Sequence, residues 1–177
     1  MLESDRVILR NISISDVNDE YYQWLNDPEN NSGLAKDHYS IEEIKKYVSE
    51  KSIQKDCYFF AIIDKEKQKF IGTVKLDNFD PKAYHMEFGI LIGDKNYHGK
   101  SYGKEVCTLV LNFAFQTLNL NKVWLAVYEN NIAAQKLYKK LGFEVEGIQK
   151  KHVVKNNQFF DKILMAIFKD QWIKNKK

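Results

Sequence analysis

The stretch Glu87 to Gly103, EFGILIGDKNYHGKSYG, holds the residue types best placed to do chemistry. An apolar run, Phe88 to Ile92, passes through a polar turn, Gly93 to His98. Gly99-Lys100-Ser101-Tyr102-Gly103 then leads directly into a helical pattern. A helix start presents unpaired backbone N–H groups and the positive end of the helix dipole, which together bind anions. Glycines remove side-chain bulk, so a phosphate can approach that backbone closely. The nucleotide-binding P-loop needs four residues between its first Gly and Gly-Lys-Ser/Thr, whereas five, Asp94 to His98, separate Gly93 from Gly99 here. The dinucleotide pattern G-x-G-x-x-G is absent from this loop. Taken alone, the stretch reads better as a surface turn before a helix.

Few other side chains carry chemical reach. His85 and Glu87 alternate onto one face of the strand that precedes the loop. Asn131 stands where it would cap a helix. Tyr138 lies in a helical pattern between Leu137 and Leu141, where a packed tyrosine is the plain reading. Cys57 and Cys107 sit in apolar segments. They read as buried thiols, not as nucleophiles, a disulfide pair or metal ligands, and no metal site is expected.

The elements that must position these residues follow from periodicity. Arg6 to Arg10 reads as a strand, and Ser13-Ile14-Ser15-Asp16 as a capping-box start to a helix carrying Val17, Tyr21, Trp24 and Leu25, which Asp27-Pro28 ends. Asn30 to Tyr39, with Gly33, is a polar loop. Ser40 to Glu43 is a second capping box, opening a helix through Ile41, Ile44, Val48 and Ile53. Cys57 to Ile63 and Phe70 to Leu76 form a hairpin; Asp77 to Pro81 turns into a strand, Ala83 to Ile92. A helix from Tyr102 runs to a break at Asn119-Leu120-Asn121. Val123 to Val127 is a strand, and a helix follows from Asn131 to a Gly142 cap. Phe143 to Val154 and Gln158 to Phe168 close the chain as a hairpin across Lys155-Asn156-Asn157. This order predicts a mixed α/β fold around one sheet, with parallel pairing across the central helix.

Composition sets bounds. A chain of 177 residues, 44% hydrophobic, fits one globular domain over residues 1–177 and can bury a real core. No apolar run is long enough to span a membrane. The first residues, MLESDRVILRN, lack a basic region followed by an apolar stretch, so no secretory signal is expected and the cytoplasm is the expected compartment. A net charge of +3 does not call for nucleic acid, although the lysines suit a polyanionic ligand.

Three features in fixed order, His98 to Gly103, Asn131, and Leu137-Tyr138-Lys139-Lys140-Leu141-Gly142-Phe143, resemble the GNAT superfamily of acetyl-CoA-dependent N-acetyltransferases. The resemblance covers nearly the whole chain and is most specific from Tyr84 to Ile167. It implies a mostly antiparallel sheet with a central parallel strand pair splayed at the cofactor site and helices on its flanks. In that family the loop reads Gln/Arg-x-x-Gly-x-Gly/Ala and holds the coenzyme A pyrophosphate on backbone N–H groups. His98 stands at the first position, Ser101 at the first Gly and Gly103 at the last. Ser101 is expected to keep a helical or extended backbone instead of a positive φ.

The resemblance is closest to the branch of ribosomal-protein, spermidine and nucleotide-amino-sugar acetyltransferases. It implies acetyl-CoA held by Ile90, Leu91, Ile92, His98, Gly99, Lys100, Ser101, Tyr102, Gly103, Lys104, Asn131 and Lys140. A backbone N–H near Leu91 or Ile92 would polarise the carbonyl. Tyr138 matches the general acid, and Glu87, or His85 or water, would be the base, in direct transfer without an acyl-enzyme. Each lysine is also readable as a solvated side chain, Glu87 as a solvated carboxylate, and Asn131 as a helix cap. Trp24 and Tyr39, with His85, would line the acceptor site, though core packing accounts for the aromatic N-terminal region comparably. Trp24 to Glu29, WLNDPE, resembles a segment near the acceptor site of amino-sugar members; Gly147 to Met165 resembles the closing hairpin of the branch. The expected partner is a small-molecule amine, a nucleotide-linked amino sugar first, with no nucleic acid or membrane, and a homodimer is compatible. Polyamine or peptide N-terminal acetylation, and a non-catalytic acyl-CoA-binding module, stay open.

Overall fold

The computed structural model describes residues 1–30, 36, 38–155 and 157–174. The strands are β1 (Leu2–Glu3), β2 (Val7–Asn11), β3 (Tyr58–Asp64), β4 (Lys69–Asp80), β5 (His85–Ile92), β6 (Lys122–Tyr128), β7 (Glu144–Lys155) and β8 (Gln158–Phe168). The helices are α1 (Asp19–Asn26), α2 (Ile41–Ser52), α3 (Tyr102–Asn112), α4 (Ile132–Leu141) and α5 (Lys169–Lys174). The strands form one eight-stranded sheet in the order β1-β2-β3-β4-β5-β6-β8-β7. Every neighbouring pair is antiparallel except β5–β6, which the crossover through α3 makes parallel.

The sheet is buried on both faces at its centre. On one face, Met86 and Phe88 of β5 and Val123, Leu125 and Val127 of β6 pack with Val106 and Val110 of α3 and with Tyr138 and Leu141 of α4. On the other, Phe59, Ala61 and Ile63 of β3 meet Tyr21 of α1 and Ile44 and Val48 of α2. Strict alternation along β6, with Val123, Leu125 and Val127 buried and the residues between them half-buried, is the period of two that a strand imposes.

The decisive irregularity is in the middle. β5 and β6 pair at only three steps, His85–Lys122, Met86–Val123 and Glu87–Trp124. Beyond them β5 stays bound to β4 as far as Ile92, and β6 stays bound to β8 as far as Tyr128. The two strands therefore diverge after Glu87, each held by its outer neighbour.

Several elements differ from the sequence expectations. Ser13 to Asp16 does close on itself, with the Ser13 N–H donating to Asp16 Oδ2 at 2.8 Å, but it makes only a short 3-10 turn over Ile14–Asp16. The chain leaves helical geometry at Val17, and α1 begins afresh behind Asn18, whose Oδ1 accepts the Tyr21 N–H at 2.9 Å. Ile53 is 80% exposed past the end of α2, outside its apolar stripe. β4 runs through the expected turn at Asp77 and ends at Asp80, with a register shift between those residues, so the turn falls on residues 81–84. α3 continues as a π-helical turn over Phe113–Thr117, and β1 and α5 carry too short a pattern to be foreseen. Gly33 and Asn156, assigned to a loop and a turn, lie outside the described residues.

Moving the cap from Ser13 to Asn18 has a measurable consequence. Asn18→Ala is expected to lower stability by about 1 kcal/mol. Ser13→Ala, which removes hydroxyl contacts to Ser15 and Asp16 in a three-residue 3-10 turn, is expected to cost less. Chemical denaturation of the two variants ranks them.

Candidate active site

The divergence of β5 from β6 leaves backbone groups without a ladder partner. The Gly93 N–H donates to Ile71 O at 2.9 Å, on the β4 side. Antiparallel alternation then turns the Leu91 amide toward β4 and the amides of Ile90 and Ile92 into the gap. The expectation of a polarising N–H at Leu91 or Ile92 is thereby narrowed: Leu91 is committed to the ladder, and its side chain joins the cluster under α1 and α2. The Ile92 carbonyl also faces away from β4 and accepts from His98 Nε2 at 2.7 Å. His98 thus folds back to fasten the loop to the end of β5, and that nitrogen is already spent.

The loop after β5 is braced from inside. Asp94, 6% exposed, accepts from Lys69 Nζ at 2.8 Å and from the Asn96 N–H at 2.9 Å. The Lys69 ammonium and these N–H groups outweigh burial and hold the Asp94 carboxyl below the usual carboxylate range. Gly99 has φ +72° and open space where a Cβ would project. Ser101 has φ 66°, in the left-handed region, which corrects the expectation of a negative φ. The family's glycine at this position has a physical reason: α3 is entered through a conformation that L-residues adopt at a cost of roughly 1–2 kcal/mol. Ser101 makes no side-chain cap, so among the described residues the first-turn N–H groups of α3 have no side-chain cap. Gly103 faces α4: a Cβ there would sit 3.4 Å from Leu137 Cδ2, a close but ordinary contact. Lys100, Lys104 and Lys140 are exposed and, among the described residues, have no carboxylate partner.

Tyr138 lies across the gap from that loop. Asn131 caps α4, its Oδ1 accepting the Ala134 N–H at 3.1 Å, and Gly142 ends it at φ 96°. This fixed helix turns the Tyr138 ring edge-on to Phe88, centroids 6.3 Å apart, and against Phe143 at 5.6 Å. Phe88 is the first β5 residue past the last paired step, so the ring stands where the gap opens. Burial pushes the Tyr138 phenol well above its usual range, with a smaller contribution from the Cys107 thiol. It therefore stays protonated at neutral pH. Desolvation likewise raises both thiols, Cys57 to about 11, so neither is a ready thiolate.

Glu87 and His85 project from the opposite face of the sheet. Glu87 Oε2 accepts from Asn78 Nδ2 at 2.7 Å and, among the described residues, has no cationic partner. His85 Nε2 is 3.7 Å from Asp80 Oδ2. His85 Nδ1 and Trp124 Nε1 are buried and unpartnered among the described residues. They border an open groove of about 520 Å³ that also takes in Phe79 and Asp80. Trp124, level with Glu87 across the last paired step, was not singled out from the sequence; its place between buried Val123 and Leu125 is the signal that marks it as facing the other way.

Trp24 and Tyr39 are brought to the same face, and each has a structural task. A Cβ on Gly93 would fall inside the Trp24 ring, which also packs on Phe70 at 5.2 Å. Tyr39 exchanges two hydrogen bonds with the Asn26 amide at the end of α1, at 2.7 and 3.1 Å. Lys95 reaches both Asp27 and Glu29 at 2.7 Å, and Asn30 Nδ2 donates to Gly93 O at 3.0 Å. The WLNDPE segment is thus a buttress for the end of β5.

A model of the Acetyltransferase (GNAT) domain matches residues 6–144, the stretch that carries both the divergent strand pair and the entry to α3. The chain belongs to the GNAT acetyltransferase family. It is 32% identical over 136 residues to the probable N-acetyltransferase YjcK of Bacillus subtilis (strain 168), covering 75% of each chain. It is 30% identical over 162 residues to the spermidine N(1)-acetyltransferase of Escherichia coli (strain K12), covering 87% of this chain and 84% of that one. Its fold superimposes with a TM-score of 0.87 on a spermidine N-acetyltransferase from Vibrio cholerae solved with CoA and spermine, at 23% identity and covering 96% of this chain and 99% of that one. The GNAT chain is accordingly an N-acetyltransferase with acetyl-CoA as its acetyl donor. The gap, where the Ile90 and Ile92 amides have no ladder partner among the described residues, and the open turn at Gly99 fit a long, narrow, phosphate-bearing ligand. No helix among the described residues is long and apolar enough to cross a membrane.

The strained entry to α3 yields a direct test. Ser101→Gly is expected to keep acetyl-CoA affinity and stability at or above the parent. Ser101→Val, β-branched in the left-handed region, is expected to lose about 1–2 kcal/mol relative to it. Melting temperature and calorimetric titration with acetyl-CoA read both.

Proposed function

We propose that this enzyme acetylates a primary amine of a polyamine by direct attack on the thioester, with Glu87 as base and Tyr138 as acid. The observation that carries the reading is the placement of Glu87 and Tyr138 on opposite faces of the sheet, at the two sides of one gap. The amine approaches from the α1–α2 face. Glu87, directly or through a water, takes the proton that makes the nitrogen nucleophilic. Acetyl-CoA supplies the acetyl thioester. A gap-facing N–H, that of Ile90 or of Ile92, donates to the carbonyl oxygen as it gains charge. The nitrogen–carbon bond forms, the carbon–sulfur bond breaks, and the Tyr138 hydroxyl gives its proton to the departing sulfur. The raised thiols of Cys57 and Cys107 support transfer without an acyl-enzyme.

Polyamine has more support than the amino-sugar reading that the WLNDPE segment first suggested. The Escherichia coli relative at 30% identity is named for spermidine. The acceptor face also presents Glu87 and Asp80 without a lysine or arginine partner among the described residues, and carboxylates with no such cation, beside Trp124, suit an ammonium chain. Initial rates of thiol release across polyamines, amino sugars and N-terminal peptides test it. Spermidine or spermine is expected to give the highest kcat/KM. A preference for an amino sugar or a peptide would replace the acceptor, and no turnover with any amine would favour an acyl-CoA-binding role.

Tyr138→Phe keeps the ring packed against Phe88 and Phe143 and removes only the hydroxyl. The expected result is a drop in kcat of about 10²–10⁴-fold with the KM for acetyl-CoA nearly unchanged. A tyrosine kept only for packing would leave kcat intact.

A further inference from the structure

The phosphate loop is held from outside by the first residues of the chain. Arg6, in the turn between β1 and β2, reaches Glu105 Oε2 through Nη2 at 2.6 Å and through Nε at 2.7 Å. Its Nη1 donates to Lys100 O at 3.2 Å, and its guanidinium lies 4.4 Å above the centre of the Tyr102 ring. The Arg6 N–H and the Ser4 hydroxyl donate to Glu105 Oε1 at 2.9 and 2.7 Å. From the other side, the Tyr102 hydroxyl donates to Asp64 Oδ2 at 2.8 Å, and Asp64 is 2% exposed. Both neighbours of Ser101 are therefore fastened, Lys100 by its carbonyl and Tyr102 by its ring and hydroxyl.

Two consequences follow. A left-handed serine persists only where its surroundings over-determine it, and the Arg6 and Asp64 contacts supply that determination. Second, Glu105 sits in the first turn of α3. A carboxylate there favours the helix dipole but opposes any phosphate bound at the same end. Arg6 cancels that charge, and together with the hydrogen bonds from Ser4 and its own N–H it keeps the Glu105 carboxyl below its usual range against burial.

We propose that Arg6 is a positioning residue for the diphosphate of acetyl-CoA, holding the Lys100–Tyr102 backbone and masking the charge of Glu105. This rests on the acetyl-CoA reading of the loop. Arg6→Ala is expected to weaken CoA binding about tenfold, the worth of one hydrogen bond to a charged group. The loss should shrink as salt is raised. Turnover of acetyl-pantetheine, which lacks the diphosphate, should stay within about twofold, and kcat with saturating acetyl-CoA likewise. Adding Glu105→Gln to Arg6→Ala is expected to restore part of the lost affinity. Arg6→Lys, which keeps charge without the planar fork, should fall between and serves if the alanine variant folds poorly. CoA affinity unchanged in both Arg6 variants would overturn the inference. So would equal losses for CoA and acetyl-pantetheine, which would make Arg6 a general support. A wild-type protein that binds no CoA by calorimetry would overturn the acetyl-CoA reading, and this one with it.

Discussion

A β-sheet tolerates almost no unpaired backbone in its interior, because each buried amide or carbonyl left without a partner is costly. This molecule places such a defect at the centre of its sheet. Past Glu87, β5 and β6 no longer meet. The defect is held open because each strand has a firm outer neighbour: β4 matches β5 down to Ile92, and β8 matches β6 along its full length. The helices on both faces close the rest of the sheet, so among the described residues the missing strand partner is not replaced by another strand, and the gap is left for solvent or a ligand.

The parallel direction of that pair explains where the ligand's charge is met. An antiparallel pair could close through a short turn, but a parallel one needs a crossover, here α3. Its N-terminus therefore lies just past the carboxyl end of β5, at the open end of the gap, where α/β folds bind anions. The same direction separates the chemistry. Alternation sends Phe88 toward Tyr138 on one face and Glu87 toward Trp124 on the other, so the groups proposed to give and take a proton do not neutralise one another.

Much of this was legible in the sequence, for identifiable reasons. Periods of two and of 3.6 placed the core strands and helices, and Asn131 and Gly142 announced both ends of α4 because caps depend on local geometry alone. What escaped depended on distant residues. Ser13 has the local credentials of a cap, yet the chain turns at Val17, and Asn18 caps α1 instead. The left-handed backbone at Ser101 could not be read from serine itself; the contacts imposing it come from Arg6 and Asp64, far away in sequence. Trp24 was readable both as a pocket wall and as core, and its packing on Gly93, which adds a structural task, needed the fold to be seen. Which amides enter the gap needed the register of β4 against β5, a pairing that no single segment encodes.

The contact between Trp24 and Gly93 has an implication for how such a chain can change. The indole fills the volume that any larger residue at 93 would require, so substitution there demands a smaller partner at 24, and a smaller partner leaves Gly93 resting on a void. The two positions, far apart in sequence, amount to one heritable choice, and a lineage that altered either would have to alter both.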